Sequence, residues 1–545
     1  MNSRLLRPAG GMIAAAVASV TFGQSVQVNV DALGMNMLND AANEPSIAVD
    51  PTAPNRIAIG WRQFDSISSS FREAGVAWSN DGGRTWTFPG PLQNGTFRSD
   101  PVLGSHPDGT LLYYSMKGNF TCDMYRSTDG GMTWPFTVPA FGGDKSWFTV
   151  DHTDGIGRGN VYAAWSTAAG PYTGATFMRS VNGGVSFQTP VAFPAPPRWG
   201  TLAVDSLGRV FAAGIQSLPY DPTTFLVARS SNAQDPSQSV VFDQLTYVDL
   251  GGVMQVSQGP NPGGLLGQVW IDANRSSGPF GGELYILSSV DPPLVPDDGN
   301  DPLDVHFARS TDGGATWSQW MRVNTDGPNP QGRRAWQWFA TMSVAPNGRI
   351  DVVWNDTRNA LDPQSPTTSE LWYSSSEDGG RTWMPEVPLS PPFNHSLGYP
   401  SQQKLGDYYH MVSDDVGADL AWAATFTGGQ DVYYLRIGDR DCNRNGVGDE
   451  KDLAGGVLFD CDGDGVPDSC AIAANAVDDL NRNGVPDSCE SIGDLNGDGI
   501  VDGSDLGDLL GAWGDCPMEG SCPADLNRDG VVNGDDLGEL LGNWS

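Results

Sequence analysis

Five times near its C-terminal end the chain spaces oxygen-bearing side chains as D-x-[DN]-x-[DN]-G. In that spacing the first, third and fifth positions ring a hard cation, and the sixth, a glycine, makes the sharp turn. The seventh lends a carbonyl, and the ninth and twelfth complete the shell. The chemistry expected is calcium binding, at up to five sites. In 494–505 the donors are Asp494, Asn496, Asp498, the Ile500 carbonyl, Asp502 and Asp505. In 525–536 they are Asp525, Asn527, Asp529, the Val531 carbonyl, Asn533 and Asp536. Three earlier loops offer Asp441, Asn443, Asn445, Asp449 and Asp452; then Asp460, Asp462, Asp464 and Asp468, with Ala471 in the twelfth place; then Asp479, Asn481, Asn483, Asp487 and Glu490.

The charge distribution agrees with this. Of a net charge of −35 over 545 residues, −20 lies in 439–545, from 25 acidic and 5 basic side chains. Such a tail repels nucleic acid and anionic lipid, whose binding needs basic patches, and it suits divalent cations. It holds too little apolar surface to fold by core burial, so metal and disulfides must hold it. Six of the seven cysteines lie there; Cys122 is alone in the body and is expected to be a buried free thiol. Residues 1–23 read as a secretory signal, with Arg4 and Arg7 before a short apolar run and cleavage near Gly23. No later segment has about 18 consecutive apolar residues, so no transmembrane segment is expected and the mature protein should be secreted or at the cell surface. Export permits disulfides.

The body repeats a different motif: SNDGGRTW at 79–86, STDGGMTW at 127–134, SVNGGVSF at 180–187, STDGGATW at 310–317 and SEDGGRTW at 376–383. Copies this long mark a unit that stacks on its neighbours. Around each copy run short apolar strands punctuated by Gly, Pro and Asp, the pattern of a propeller blade. Seven such units can be aligned; the fourth has no recognisable copy after Ser230, and neither has the seventh. The motif resembles the Asp box of sialidase-like (BNR-repeat) β-propellers. The fold class expected for 25–438 is therefore an all-β propeller, with seven blades favoured and six the alternative. The seventh unit lacks a fourth strand, and 25–30 (SVQVNV) can supply it and close the ring. Inside a box, the Asp side chain bonds nearby amides and the glycines take positive φ, so the box stabilises rather than catalyses.

In propellers of this kind the boxes lie between the third and fourth strands of a blade, and sites lie on the opposite face. There the two–three and four–one loops present Arg62, Asp65, Asp356 and Arg358, and Asp100, Lys145, Trp147, Trp199, Trp336, Trp338, Asp407 and Tyr409. Aromatic platforms, carboxylates and arginines together are the chemistry of sugar recognition. A glycosidase needs two carboxylates flanking the scissile bond; the candidates are Asp65, Asp100, Asp356 and Asp407. Arg62 and Arg358 are candidates to clamp an acidic sugar, and Trp147, Trp199, Trp336, Trp338 and Tyr409 to stack on one. The Phe/Tyr-Arg-Ile-Pro tetrapeptide of true sialidases is absent.

Residues 439–491 resemble thrombospondin type 3 repeats, and 492–545 resemble a type I dockerin, a calcium loop and helix (EF-hand-like) written twice. The first resemblance implies Cys442–Cys461 and Cys470–Cys489 disulfides; the residues alone allow 15 pairings. Cys516 and Cys522 are expected to close the insert between the two dockerin-like loops. Together the resemblances imply an exported glycoside hydrolase acting on polysaccharide or glycoconjugate, tethered to a cohesin-like or cell-surface scaffold partner. The alternative is a non-catalytic propeller that binds glycan or protein.

Overall fold

The computed structural model describes residues 24–545 apart from 294–301, 327–334, 363–364, 480, 481, 483, 491, 498 and 518–521. The expected signal segment, Asn481, Asn483 and Asp498 lie outside the described residues.

Seven antiparallel sheets stand around one axis. Their innermost strands are Ala41–Val49, Arg98–Ser105, Trp147–Val150, Leu202–Val204, Trp270–Ala273, Gln337–Val344 and His410–Ser413. Each contacts the next, and the last contacts the first, so the ring is closed with seven blades. The inner strands are short and almost wholly buried, because side chains on both faces meet neighbouring blades. Blade 7 runs from His410–Ser413 through Gly417–Ala424 to Asp431–Gly438, and its outer strand is Val26–Gln27 from the other end of the chain. Val26 pairs with Tyr434 and Gln27 with Tyr433, and Val28 N donates to Val432 O at 2.9 Å. The N-terminal strand thus closes the ring as the sequence pattern implies.

The boxes are hydrogen-bonded cages. In the first, Asp81 takes Ser79 Oγ at 2.7 Å and Thr85 N at 3.0 Å, and Ser79 Oγ accepts from Gly83 N at 2.9 Å. The boxes at Asp129, Asp312 and Asp378 repeat this, and Asn182 replaces the carboxylate in the third. Gly83 has a φ of 87°, and a Cβ there would meet Tyr434 Cε1 at 2.2 Å. Glycine is thus required both by conformation and by the approach of blade 7. The fourth unit keeps a remnant that its sequence hides: Ser230 Oγ donates to Asn232 Oδ1 at 3.1 Å and accepts from Ala233 N at 3.1 Å.

Beyond Gly438, helices Asp449–Gly455, Asp468–Ala473, Gly503–Gly511 and Gly534–Gly542 alternate with the acidic loops. The disulfides differ from the expectation: Cys442 joins Cys470, Cys461 joins Cys489, and Cys516 joins Cys522 as anticipated. Each long-range bond links the second residue of one loop to the eleventh of the next. Stacking of successive repeats brings those two positions to a Cα separation of 6.0 Å, within disulfide reach. Cys122 is a buried free thiol, its pKa raised by burial to about 12.

Candidate functional site

At the axis, on the face opposite the boxes, the entries to the inner strands carry an unusual backbone. Glu44, Asp100, Lys145, Trp199 and Phe339 occupy equivalent positions in blades 1, 2, 3, 4 and 6, and all have φ between 49° and 59°. In blades 1, 2 and 6 the strand register shifts at this point. A bulge with a left-handed non-glycine residue re-aims a side chain at a cost of order 1–3 kcal/mol each, and such residues concentrate at functional sites.

Three of these residues meet in a buried ionic cluster with Arg62, Lys404 and Asp407. Lys145 Nζ lies 3.3 Å from Asp100 Oδ1 and 3.4 Å from Glu44 Oε1, and also bonds Asp407 Oδ2. Lys404 Nζ bonds Asp407 Oδ2 and lies 3.1 Å from Glu44 Oε1. Arg62 Nε lies 3.1 Å from Glu44 Oε2, but its N–H is aimed at Asn43 Oδ1 at 2.9 Å. Glu44 Oε2 therefore receives no hydrogen bond among the described residues, although it is buried. Asp407 Oδ1 accepts from Leu265 N at 2.7 Å, which fixes the carboxylate from the blade 5 side.

A cavity of about 330 Å³ opens onto this cluster. Its charged lining is Arg62, Arg72, Lys145 and Lys404 against Asp100, Asp144 and Asp407, and Trp199 and Phe120 form apolar wall. Arg72 donates to Ser99 Oγ and Ser70 O, and no carboxylate pairs with it among the described residues. Its guanidinium lies over the Phe97 ring at 4.5 Å.

The carboxyl groups are driven apart electrostatically. Burial alone would raise Asp100, but the Lys145 ammonium, with Arg62 and Lys404, outweighs it and holds the group below the ordinary range. Asp407 is likewise held well below that range, burial being overcome by Lys145 and Lys404. Glu44 goes the other way: burial lifts it to about 6 against its three cationic neighbours. Asp144 is also raised, by burial and by the Asp100 and Asp407 charges, against the pull of Lys145. It has no ion-pair partner among the described residues. One cavity thus holds fixed anions beside a carboxyl that keeps its proton longer, the arrangement that separates acid and base roles.

Of the sequence candidates, Arg62, Asp100, Lys145, Asp407 and Trp199 meet here. The others do not. Asp65 is exposed and belongs to no cluster. Asp356 and Arg358 neutralise each other at 2.6 Å on blade 6, where Arg358 also bonds Glu386 and covers Trp372. Among the described residues the Arg358 guanidinium is thus already paired with two carboxylates. Trp147 is buried against Trp270, Tyr408 and His410. Trp336 is buried, as are Trp338, which donates to Ser369 Oγ at 3.1 Å, and Tyr409, which donates to Ala423 O at 2.7 Å. None of these three offers a stacking face. Glu44, Arg72, Asp144 and Lys404 were missed. The register would have found Glu44: Glu44-Pro45 and Asp100-Pro101 sit at the same bulge near the start of their inner strands.

The acidic loops share one geometry. Their first aspartates, Asp441, Asp460, Asp479, Asp494 and Asp525, each accept from the sixth-position glycine N, at 2.7–3.0 Å. Those glycines have φ of 81–90°. Asn443 and Asn445 both donate to Asp452, at 2.8 and 2.7 Å, so donors converge across the first loop. In the second, oxygens of Asp460, Asp462 and Asp464 lie within 4.8 Å of one another. Asp449 and Asp468 accept from Cys442 N and Cys461 N, closing their loops. In the last two loops Asp505 and Asp536 complete capping boxes with Asp502 and Asn533.

No protein-family model matches this chain, and no curated protein matches it. Solved structures do. A protein of unknown function from Dyadobacter fermentans is 16% identical, with 78% of this chain and 100% of that one covered at a TM-score of 0.42. A fungal alcohol oxidase in complex with copper is 10% identical, with 77% and 76% covered at 0.44. The intramolecular trans-sialidase of Ruminococcus gnavus is 12% identical, with 73% and 94% covered at 0.35.

Proposed function

We propose that the protein is a secreted, glycan-directed propeller whose axial cavity hydrolyses an O-glycosyl bond. One observation carries the reading: Asp144, its carboxyl raised, lines the same cavity as Asp100 and Asp407, which stay anionic. In this reading Asp144 protonates the leaving oxygen while Asp100 or Asp407 stabilises the positive charge that develops on the sugar or activates water. Arg62 and Arg72 bind hydroxyl or acid groups, and Trp199 packs on the ring. The acidic loops bind calcium through the donors named above, and the dockerin-like end tethers the enzyme to a cohesin-like or cell-surface scaffold partner. The alternative, binding without turnover, is favoured by one feature: Asp100 and Asp407 are already bonded to Lys145. A panel of polysaccharides and glycoconjugates offered to the full chain and to Asp144→Asn decides between them. Turnover that disappears in the variant while binding persists supports hydrolysis. Binding with no turnover by either protein leaves the second reading.

A further inference from the structure

The ring is closed by a very short outer strand. From the N-terminal segment only Val26 and Gln27 pair in register with Asp431–Gly438, so the strand that completes blade 7 adds few ladder bonds of its own. The chain that leaves blade 7 returns over this same junction, on the box face. Arg440 is its central residue, with a side chain only 11% exposed. Its guanidinium bonds Asp419 Oδ1 at 2.7 Å and Tyr434 OH, both of blade 7. It also donates to Gly82 O at 3.0 Å, inside the first box, and to Pro54 O at 3.2 Å, in the first inner turn of blade 1. One side chain therefore bonds both blades. Tyr434 OH adds a second link, donating to Asp419 Oδ1 at 2.6 Å beside Gly82 O at 3.2 Å.

Three more bonds pin the repeats to blade 1. Arg56 Nε donates to Ala474 O at 3.0 Å, Asn80 Nδ2 to Asn475 O at 3.1 Å, and Arg84 Nη2 to Gly465 O at 2.7 Å. Gly465 is the sixth residue of the second acidic loop. Arg440 is held in turn by the first loop: its carbonyl accepts from Asp449 N at 2.5 Å, and the Asp449 carboxylate accepts from Cys442 N at 2.9 Å. The two loops whose donors converge are thus the two that touch the seam. A free spacer would have neither set of contacts.

We infer that residues 439–475 form a clasp that closes the blade 7–blade 1 seam, and that a divalent cation in the first two loops tightens the propeller as well as the tail. The cation arm rests on the calcium reading of the loops; the clasp rests on the Arg440, Arg56, Asn80 and Arg84 contacts and needs no ion. A loop that folds only around its ion fixes its flanking backbone when loaded, and here that backbone is Arg440 and Gly465.

The test uses the full chain, melted with and without millimolar calcium and with excess chelator. Propeller unfolding is followed by tryptophan fluorescence, because all tryptophans except Trp513 and Trp544 precede residue 439. Arg440→Gln is expected to lower the propeller transition in calcium by about 3 °C or more, a shift that a domain of this size shows for one lost buried contact network. Chelator is expected to lower the wild-type propeller by a similar amount and to have little further effect on Arg440→Gln. If Arg440→Gln yields no folded protein, the surface pair Asn80→Ala with Arg84→Ala carries the test, with a smaller shift in the same direction. A propeller transition unmoved by either variant overturns the clasp. If calorimetry detects no calcium binding but the variants still melt early, the cation arm fails and the clasp stands. If calcium binds and orders the tail with no change in the wild-type propeller transition, the coupling is overturned while the calcium reading survives.

Discussion

Lys404 Nζ and Glu44 Oε1, 360 residues apart in the chain, meet at 3.1 Å beside the propeller axis. Their meeting needs the ring to be closed, because Glu44 enters blade 1 and Lys404 enters blade 7. Burying charges is costly unless each is paired and hydrogen-bonded, and removing one partner strands the rest. Lys145→Met leaves Asp100 without its ammonium and removes one of two cations from Asp407. The expected loss is about 3–5 kcal/mol in a denaturant titration. The exposed pair of Arg158 with Asp154, also within ion-pair distance at 3.0 Å, is the control: Arg158→Met should leave the midpoint unchanged within error. Equal effects from both variants would refute a cohesive axial cluster.

The pH dependence follows from Asp144. Its folded pKa is raised from 3.8 by burial and by neighbouring carboxylates, so the folded state holds the proton more tightly than the unfolded chain does. The stability it contributes is fully present below 3.8 and is lost as pH rises through the raised value. In the general-acid role proposed for it, activity is expected to fall over the same interval. Asp100 and Asp407 titrate below the ordinary range, so they set the acid limb. Asp144→Asn should abolish turnover and flatten the part of the stability profile above 3.8 that it causes. Glu44, raised to about 6, leaves a second decline between 4.5 and about 6 that Glu44→Gln removes. A stability profile identical in wild type and Asp144→Asn would show that the carboxyl titrates normally.

What the sequence disclosed and what it concealed divide along locality. Blade count, the box cages and the closing strand are local patterns: the alternation of 25–30, for example, needs only an open edge to pair with. The face that holds the axial cavity was legible for the same reason, since strand order assigns each loop to one end of its blade. Arg62, Asp100, Lys145, Asp407 and Trp199 were placed beside it that way. Burial was not legible. Trp336, Trp338 and Tyr409 sit in the same loops as Trp199 but turn into blades 6 and 7, and no residue-type rule separates a core tryptophan from a platform. Asp356 and Arg358 satisfy each other two residues apart, so Arg358, read beside Arg62 as a clamp for an acidic sugar, is already paired on its own blade. Lys404 and Asp144 needed the fold itself.

Two glycines with similar backbones separate conformation from packing. Gly83 (φ 87°) and Gly95 (φ 77°) both lie in the left-handed region. A Cβ on Gly95 meets nothing within 4 Å, whereas one on Gly83 meets the Tyr434 ring at 2.2 Å. Tyr434 cannot retreat freely because its hydroxyl is tied to Asp419. Gly95→Ala should cost about 1–2 kcal/mol, the left-handed penalty for a Cβ. Gly83→Ala should cost that plus about 1–3 kcal/mol of overpacking. Equal losses in urea titrations would mean that blade 7 adapts to the methyl.

The cysteine pairing gives a test that needs no ligand. Cys442–Cys470 and Cys461–Cys489 interleave, each spanning 28 residues, so the three repeats they join cannot separate while both are intact. The alternative of Cys442–Cys461 with Cys470–Cys489 would join the same repeats through two loops in series that do not interleave. Proteolysis between the cysteines under non-reducing conditions should therefore yield one disulfide-linked peptide containing residues 442 and 470 and another containing 461 and 489. Cys461→Ser should free the thiol of Cys489 and leave Cys442 and Cys470 bonded; a free thiol at Cys442 in that variant would establish the serial pairing. Loops of this length contribute roughly 3–4 kcal/mol each by restricting the unfolded chain. Because Ala474 and Asn475, which bond Arg56 and Asn80, follow Cys470 closely, Cys470→Ser should loosen the contact with blade 1. Protease sensitivity is then expected to rise first between residues 456 and 476, with the propeller still intact on a gel.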